Sequence, residues 1–247
     1  MLGEKIKTSQ MLLVSKNILL RDMIHFHIIT LFPEAIAPYL DASILGRAQK
    51  AKKIAVSYYN PRDYTEDKWA RVDRKPYGGG PGMVLEAESM LRACSAAIGR
   101  KKDVEVLFFS PTGAQFDSSM AKKFSTKKHV VLICGRYEGV DARVQKILKA
   151  KPLSVGPYVV TGGELPAATV VDATARYVEG VLGKGESRED ERVASPDVYT
   201  RPEVLTWKGK KYRVPKVLLS GHHAKQEEWR SGRLAKSPAA KKKAKQE

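Results

Sequence analysis

The sequence predicts an α/β fold with a mostly parallel sheet, followed by a small, mainly helical C-terminal domain. Two observations lead to this prediction. From residue 24 onward, short stretches rich in β-branched and aromatic residues alternate with longer stretches of helical periodicity, which is the order expected of strand–helix units. This alternation stops near residue 183, where an almost entirely polar stretch begins, as is typical of a linker.

The individual elements follow from local patterns. Strands are predicted where Val, Ile, Phe and Tyr dominate: residues 24–31, 54–59, 104–109 and 130–134. Helices are predicted where apolar residues recur every three or four positions: residues 33–51, 86–98, 115–124, 137–148 and 164–178. Near the C-terminus we expect a hairpin around Gly209, and a helix with Ser220 as its N-cap that ends near Trp229.

Composition and these elements divide the chain into four segments. They are an N-terminal extension outside the fold (1–22), the α/β domain (23–182), a polar linker (183–195) and a C-terminal domain (196–247) with a basic tail at about 231–247. Ligands of parallel sheets bind in loops at the carboxyl ends of the strands. A site is therefore expected at that edge of the α/β domain.

The chain is strongly basic, with a formal net charge of +17. The first 22 residues contribute +2 and the last 17 contribute +5, which leaves +10 on residues 23–230. A lysine-rich tail is ordinarily a solvated, disordered segment, so the surplus on the folded part is the better evidence. It favours a polyanionic partner, of which nucleic acid is the commonest.

Cysteine use and hydropathy indicate the compartment. Cys94 and Cys134 lie in apolar surroundings without metal-ligand spacing, which predicts reduced, buried thiols. No apolar run approaches the roughly 20 residues of a membrane span, and residues 1–22 lack the long apolar region of a secretion signal. We therefore expect a cytoplasmic protein with no membrane partner.

Four glycine-containing loops at predicted strand ends give the strongest indication of a site. Lys75-Pro-Tyr-Gly-Gly-Gly-Pro-Gly-Met83 lacks the endings of nucleotide-binding glycine motifs, so it predicts either a close approach to a ligand or another chain, or a structural turn. Ser110-Pro-Thr-Gly113 and Gly135-Arg-Tyr-Glu-Gly139 follow the predicted strands 104–109 and 130–134, and the fourth loop is residues 154–166. Their unpaired backbone groups can bind the polar edges of a small ligand, which predicts a shared pocket.

Several motifs together resemble the bacterial tRNA (guanine-N1)-methyltransferases of the SPOUT superfamily. They occur in the family's order from about residue 23 to 230: Leu31-Phe-Pro-Glu34, the Lys75 to Met83 loop, Gly135-Arg-Tyr-Glu-Gly139, Gly162-Gly-Glu-Leu-Pro166, Tyr199-Thr-Arg-Pro202 and Leu219-Ser-Gly-His-His-Ala224. The resemblance implies a deep trefoil knot in the C-terminal half of the α/β domain, although knots are nearly absent from proteins.

The resemblance also implies that the knot loops bind S-adenosylmethionine. By motif match, the residues of this cofactor site are Phe108, Ser110, Pro111, Gly113, Gly135, Tyr137, Glu138, Gly139, Ser154, Val155, Gly156, Tyr158, Val160, Gly162, Gly163 and Pro166. The family uses Mg2+ as well, but no residue cluster in the sequence identifies a metal site.

The implied reaction needs a base and a cation. N1 of guanine carries a proton that must be removed, and the negative charge that spreads onto O6 needs a positive neighbour. By resemblance Arg176 is the cation and a linker carboxylate is the base. We assign the base to Asp190, which requires the alignment to shift by one residue, with Glu191 of the unshifted alignment as the alternative. On the residues alone, Arg176 would pair with Asp172 one turn earlier, and the acidic linker would simply be solvated.

The resemblance thus implies methyl transfer to N1 of the guanine directly 3′ of the tRNA anticodon, position 37. The family acts as a homodimer, in which the linker and C-terminal domain of one subunit close over the cofactor site of the other. Exposed cations would contact tRNA phosphates, among them Arg71, Arg74, Lys75 and Arg201. Two alternatives stay open: another SPOUT enzyme acting on ribose or ribosomal RNA, and a non-enzymatic RNA-binding protein, which would not bind S-adenosylmethionine.

Overall fold

The computed structural model of the chain describes residues 23–182 and 197–235, with side chains as far as residue 232. The chain divides between Leu182 and Gly183 into two compact units. The whole of the predicted linker, with Asp190 and Glu191 in it, and the predicted N-terminal extension lie outside the described residues. No helix of the described ranges is long and apolar enough to cross a membrane.

A five-stranded sheet forms the centre of the first unit. Its strands are β1 (Ile24–Ile29), β2 (Ile54–Tyr59), β5 (Val104–Gln115), β6 (His129–Ile133) and β7 (Lys151–Ser154). Their order in space is β2-β1-β6-β5-β7, and every neighbouring pair runs parallel, which confirms the predicted α/β class with a parallel sheet. Strands β3 (Asp73–Arg74) and β4 (Val84–Leu85) form a separate antiparallel ribbon.

Helices cover both faces of the sheet. They are α1 (Ala37–Leu40), α2 (Ser43–Lys50), α3 (Ala87–Ile98), α4 (Ser118–Ser125), α5 (Ala142–Leu148) and α6 (Glu164–Ala175), with 3-10 turns at Pro33–Ala35 and Pro61–Tyr64. On one face Phe26 and Leu132 pack with Val170 of α6, and on the other Ile133 packs with Met90 of α3. These side chains are fully buried, and each such burial contributes about 1.5–3 kcal/mol. The sheet is therefore covered on both sides, as parallel sheets ordinarily are.

The predicted strand at residues 104–109 is too short, because β5 continues to Gln115. Leu153 of β7 pairs with both Phe109 and Ala114, so residues 110–113 bulge out of the ladder and the strand resumes after them. A Cβ added to Gly113 would lie 2.4 Å from the backbone nitrogen of Leu153. Glycine lets the chain re-enter the sheet there, and the predicted loop is a bulge within a strand.

The predicted helix at residues 137–148 is wrong at its start, since α5 begins only at Ala142. Tyr137 and Gly139 have φ angles of 59° and 125°, which a right-handed helix cannot accommodate. The side chain of Asp141 then accepts a hydrogen bond from the backbone N–H of Arg143 at 2.9 Å and caps the helix. Residues 137–141 are thereby held as a loop at the carboxyl end of β6.

The predicted helix at residues 33–51 is divided into three short segments. Ala42 is extended, with ψ of 163°, and Ser43 has a φ of 50°, so the chain changes direction between α1 and α2. A Cβ added to Gly46 would lie 2.0 Å from the carbonyl oxygen of Asp41. The close packing of this turn on α2 therefore depends on glycine.

The second described range contains a hairpin and two helices. Strands β8 (Val204–Trp207) and β9 (Lys210–Arg213) pair antiparallel, and Lys208 and Gly209 between them both have positive φ, as a type I′ turn requires. Helices α7 (Lys216–Leu219) and α8 (His223–Ala235) follow. The hairpin predicted around Gly209 is present, but Ser220 is the C-cap of α7 rather than the N-cap of α8, because its hydroxyl donates to the Val217 carbonyl.

Candidate active site

A cavity of about 440 Å³ lies at the carboxyl ends of β5, β6 and β7. Its walls are the bulge of β5, the loop after β6 and the loop between β7 and α6. Because β6, β5 and β7 are neighbours in a parallel sheet, their carboxyl ends meet at one edge. The volume lies in the range of small-molecule sites, about 300–1,000 Å³.

All but two of the residues predicted to bind the cofactor line this cavity. They are Phe108, Ser110, Pro111, Gly135, Tyr137, Glu138, Gly139, Ser154, Val155, Tyr158, Val160, Gly162, Gly163 and Pro166. The exceptions are Gly113, which packs on β7, and Gly156, where an added Cβ would lie 2.1 Å from the ring of Tyr158. These two glycines allow close packing behind the wall and do not line it.

The Lys75 to Met83 loop supports the wall formed after β6. The backbone N–H of Glu138 donates to the Met83 carbonyl at 3.0 Å, and a Cβ added to Gly82 would lie 2.5 Å from Glu138 Oε1. Four of the loop's glycines have positive φ, namely Gly78, Gly79, Gly80 and Gly82, a conformation that other L residues rarely adopt. At Gly82 the close approach is therefore toward another loop of the same chain, whereas nothing lies within 4 Å of a Cβ added to the other three glycines.

Arg136 and Glu164 form a charged pair in this wall that the sequence reasoning missed. Glu164 is 3% exposed, and its Oε2 lies 3.0 Å from Arg136 Nε, while Oε1 accepts a hydrogen bond from the Thr30 hydroxyl at 2.8 Å. The guanidinium carbon of Arg136 lies 4.8 Å from the centroid of the Phe32 ring, a cation–π distance. Arg136 follows Gly135, and Glu164 follows Gly162 and Gly163. A charged residue directly after a glycine in each motif is the sequence signal that could have identified the pair.

Arg176 borders a second cavity, of about 680 Å³, that adjoins the first. The residues that line both cavities are Val155, Tyr158, Val160 and Pro166. Arg176 is the half-buried C-cap of α6. Asp172 accepts a hydrogen bond from the Tyr39 hydroxyl, which raises the pKa of Tyr39. Within the described ranges, no carboxylate lies at ion-pair distance from Arg176, so the expected pairing with Asp172 is not formed.

Comparison with known proteins agrees with the motifs around these cavities. The model of the family described as tRNA (guanine-1)-methyltransferase TrmD matches residues 24–245. The chain belongs to this methyltransferase family. It is 43% identical over 212 residues to the tRNA (guanine-N(1)-)-methyltransferase of Dictyoglomus turgidum, covering 84% of each chain. It is 45% identical over 209 residues to that of Magnetococcus marinus, covering 83% of this chain and 82% of the relative.

Two of the residues predicted to bind tRNA phosphates already form ion pairs with carboxylates of the same chain. Arg71 Nη2 lies 3.1 Å from Asp67 Oδ2, and Arg74 Nε lies 3.2 Å from Glu86 Oε2. Both arginines are exposed, so water and salt screen these surface pairs and leave them weak. An incoming phosphate can therefore compete for the guanidinium groups.

Side chains that could bind a metal ion are grouped at one place in the described part of the chain. Only His25, His27 and His129 there form a set of three or more His, Cys, Asp or Glu side chains with ligand spacing. Mg2+ prefers oxygen ligands, so this set does not suit the predicted Mg2+.

Proposed function

We propose that the protein transfers a methyl group from S-adenosylmethionine to N1 of guanine 37 in tRNA. The observation that carries this proposal is the pair of adjoining cavities. One is lined by the family's glycine motifs, and the other is bordered by Arg176. The first cavity can hold a methyl donor, and the half-buried Arg176 beside the second can stabilise a guanine that becomes negatively charged when N1 loses its proton.

The residues of the first cavity fit S-adenosylmethionine. Phe108, Val155 and Val160 offer apolar surface for a nucleoside ring. Glu138 also lines the cavity, and its negative charge can attract the positive charges of the ligand's sulfonium and amino groups. When bound, the ligand supplies an electrophilic methyl group on sulfur.

Two side chains carry the proposed chemistry on guanine. The carboxylate of Asp190, with Glu191 as the alternative, accepts the N1 proton as the new N–CH3 bond forms and the S–CH3 bond breaks. The guanidinium of Arg176 stabilises the negative charge that develops on O6. Family membership and the position of Arg176 at the second cavity, which adjoins the first, support these roles.

The hairpin of the second unit supports tRNA binding. Leu205, Trp207 and Tyr212 are each about half exposed or more, and the same strands and turn carry Lys208, Lys210, Lys211 and Arg213. Exposed aromatic rings can stack on unpaired bases, and lysines and arginines neutralise phosphates. We propose that this hairpin is part of the tRNA-binding surface.

Exposed apolar residues around the cavities support a homodimer. Tyr158, Val159 and Leu165 are 58%, 82% and 64% exposed, although they are large and apolar and lie close together in sequence. Contiguous exposed apolar surface commonly marks a protein–protein interface. A second subunit would cover these residues and bring its own linker carboxylate to the cavity.

The course of the chain around β5 supports a knot. β6 and β7 lie on either side of β5, and the chain passes from β6 to β7 and then back, since Gly163 N–H donates to the Gly135 carbonyl at 3.0 Å. Two connections therefore cross the end of the same strand, an arrangement that proteins almost always avoid. We propose that one connection passes through the loop formed by the other, which a crystal structure with continuous main chain over residues 134–164 would check.

The compartment follows from the cysteines and the substrate. Cys94 and Cys134 are free and buried, and together with a tRNA substrate this favours the cytoplasm.

Methyl transfer to tRNA transcripts that carry G or A at position 37 tests the proposed function. The expected product is 1-methylguanosine, identified by mass spectrometry of the digested transcript, from the G37 transcript alone. Equal labelling of both transcripts would contradict the proposed specificity, and a product methylated on ribose would favour the other class of SPOUT enzyme.

Gly163→Ala is expected to weaken S-adenosylmethionine binding at least tenfold and to lower the Tm. An added Cβ would lie 2.5 Å from Cys134 Cα and 3.1 Å from Gly135 N, and these backbone atoms cannot turn aside. The two loops must separate, at a cost of about 1–3 kcal/mol. Calorimetric titration with the ligand and thermal denaturation measure both effects. The control is Gly232→Ala, where nothing lies within 4 Å of an added Cβ; equal behaviour of the two variants would show that the loops are not packed this way.

A further inference from the structure

Three histidines cluster at the amino-terminal edge of the sheet, opposite the edge that bears the cavities. His25 and His27 point to the same side of β1 because they are two residues apart, and His129 opens β6 in register with His25. One ring nitrogen of each lies within 4.8 Å of one ring nitrogen of the other two. These residues belong to none of the family motifs above, and the proposed methyl transfer does not use them.

The closest two nitrogens already have the separation of ligands on one ion. His27 Nε2 and His129 Nδ1 are 3.2 Å apart, and Zn–N bonds of about 2.0–2.1 Å at tetrahedral angles place two nitrogens about 3.3 Å apart. The two rings are tilted by 40° with centroids 5.4 Å apart. The ring of His25 stacks on His27 at 4.0 Å, and rotation of its half-buried side chain would add a third nitrogen.

Hydroxyl groups of β2 orient two of these rings. Tyr59 Oη lies 3.1 Å from His27 Nδ1, and Ser57 Oγ lies 2.8 Å from His25 Nε2. A metal-binding histidine ordinarily has its other ring nitrogen hydrogen-bonded in this way, which fixes the tautomer and the direction of the ligating nitrogen. The contact with Tyr59 leaves His27 Nε2 facing His129.

The electrostatics favour neutral rings and a metal with high affinity for nitrogen. Burial, followed by the charges of neighbouring groups, lowers the pKa of all three histidines, that of His27 to about 3. Neutral imidazole is the ligating form, so no proton has to leave at neutral pH. Lys101 lowers the pKa of all three histidines. Lys128 lowers the pKa of His129 as well, and Asp103 partly offsets the shift of His129 alone. A divalent cation must overcome the repulsion of these lysines. This excludes ions that bind nitrogen weakly, such as Mg2+ and Ca2+.

We propose that His25, His27 and His129 bind a divalent transition metal ion of the Zn2+ type, with water as the remaining ligand. The ion joins β1 to its neighbour β6 and replaces the hydrogen bond between His27 and His129. Its role is structural, because the site lies at the opposite end of the strands from the methyl-transfer cavities.

The test is titration of Zn2+ into the full chain, purified without a histidine tag and freed of metal by chelation. Calorimetry is expected to give one ion per chain, and a saturating concentration about 100 times the Kd should raise the Tm by roughly 5–10 °C. His129 is half-buried, and glutamine can replace its hydrogen bonds. His129→Gln should therefore weaken Zn2+ binding at least tenfold while methyl transfer to tRNA continues. His25→Gln should act in the same direction, so the conclusion does not depend on a variant of fully buried His27.

The matched control is the double variant His222→Gln/His223→Gln, which removes the remaining two histidines of the chain and should leave the Kd for Zn2+ unchanged. Co2+ serves as a second probe, because tetrahedral nitrogen ligation produces intense visible absorption that water ligation lacks. The proposal is overturned if the chain shows no saturable Zn2+ binding, if His129→Gln and His25→Gln bind as the original chain does, or if the control variant alone loses binding. The three-histidine cluster would then be a hydrogen-bonded stack, and the proposed methyl transfer would be unaffected.

Discussion

Arg176→Ala is expected to reduce kcat for methyl transfer to tRNA by about 10²–10³-fold, the usual loss when one donor to a developing oxyanion is removed. Arg176 is half-buried beside the second cavity, where a positive charge acts on O6 more strongly than it would in water. Because this charge develops only as the N1 proton leaves, kcat and kcat/KM should fall together. Single-turnover kinetics with saturating tRNA measures the effect.

Two further variants separate catalysis from general attraction and from stability. Arg47→Ala removes an equal charge from an exposed position on α2 and should leave kcat unchanged. Arg176→Lys keeps the charge without the forked geometry and should recover part of the activity. A fall in Tm with unaltered kcat for Arg176→Ala would instead make Arg176 a structural residue of α6.

The sequence predicts strands rich in β-branched and aromatic residues better than a strand that depends on pairing with its neighbour. The predicted strand at residues 54–59 coincides with β2, and that at residues 130–134 differs from β6 by one residue at each end, because both consist largely of β-branched or aromatic residues. β7 was not predicted: Lys151 and Pro152 are exposed, and the strand forms through its register with β5. The order of the strands could not be predicted either, since neighbours such as β1 and β6 are far apart in the chain.

The site shows the same division. Glycine motifs at strand ends predict that three loops share a pocket, and the structure brings those loops to one edge of the sheet. The buried contact between Arg136 and Glu164 depends on the return of the chain after β7 to the end of β6. Such a return of the chain leaves no periodic pattern, so the residues alone could not predict this contact.

Asp190→Asn is expected to lower kcat by about 10²–10⁴-fold, the contribution of a positioned general base. Asparagine is similar in size to aspartate but has no basic oxygen to accept the N1 proton. The matched control is Glu191→Gln, which removes the neighbouring carboxylate and should retain near-normal turnover. If Glu191→Gln loses activity and Asp190→Asn keeps it, Glu191 is the base and the ungapped alignment is right.

Mixing the two inactive variants tests whether the base comes from the other subunit. In a dimer of one Arg176→Ala chain and one Asp190→Asn chain, one cavity would have both defects, whereas the other would combine an intact Arg176 with an intact Asp190 from its partner. Random pairing of equal amounts should therefore restore roughly a quarter of the normal activity, since half of the dimers are mixed and each has one working site. Co-expression with two different affinity tags and sequential purification isolates the mixed dimer, in which recovery should approach one half. No recovery in the purified mixed dimer would mean that each subunit supplies both groups to its own site.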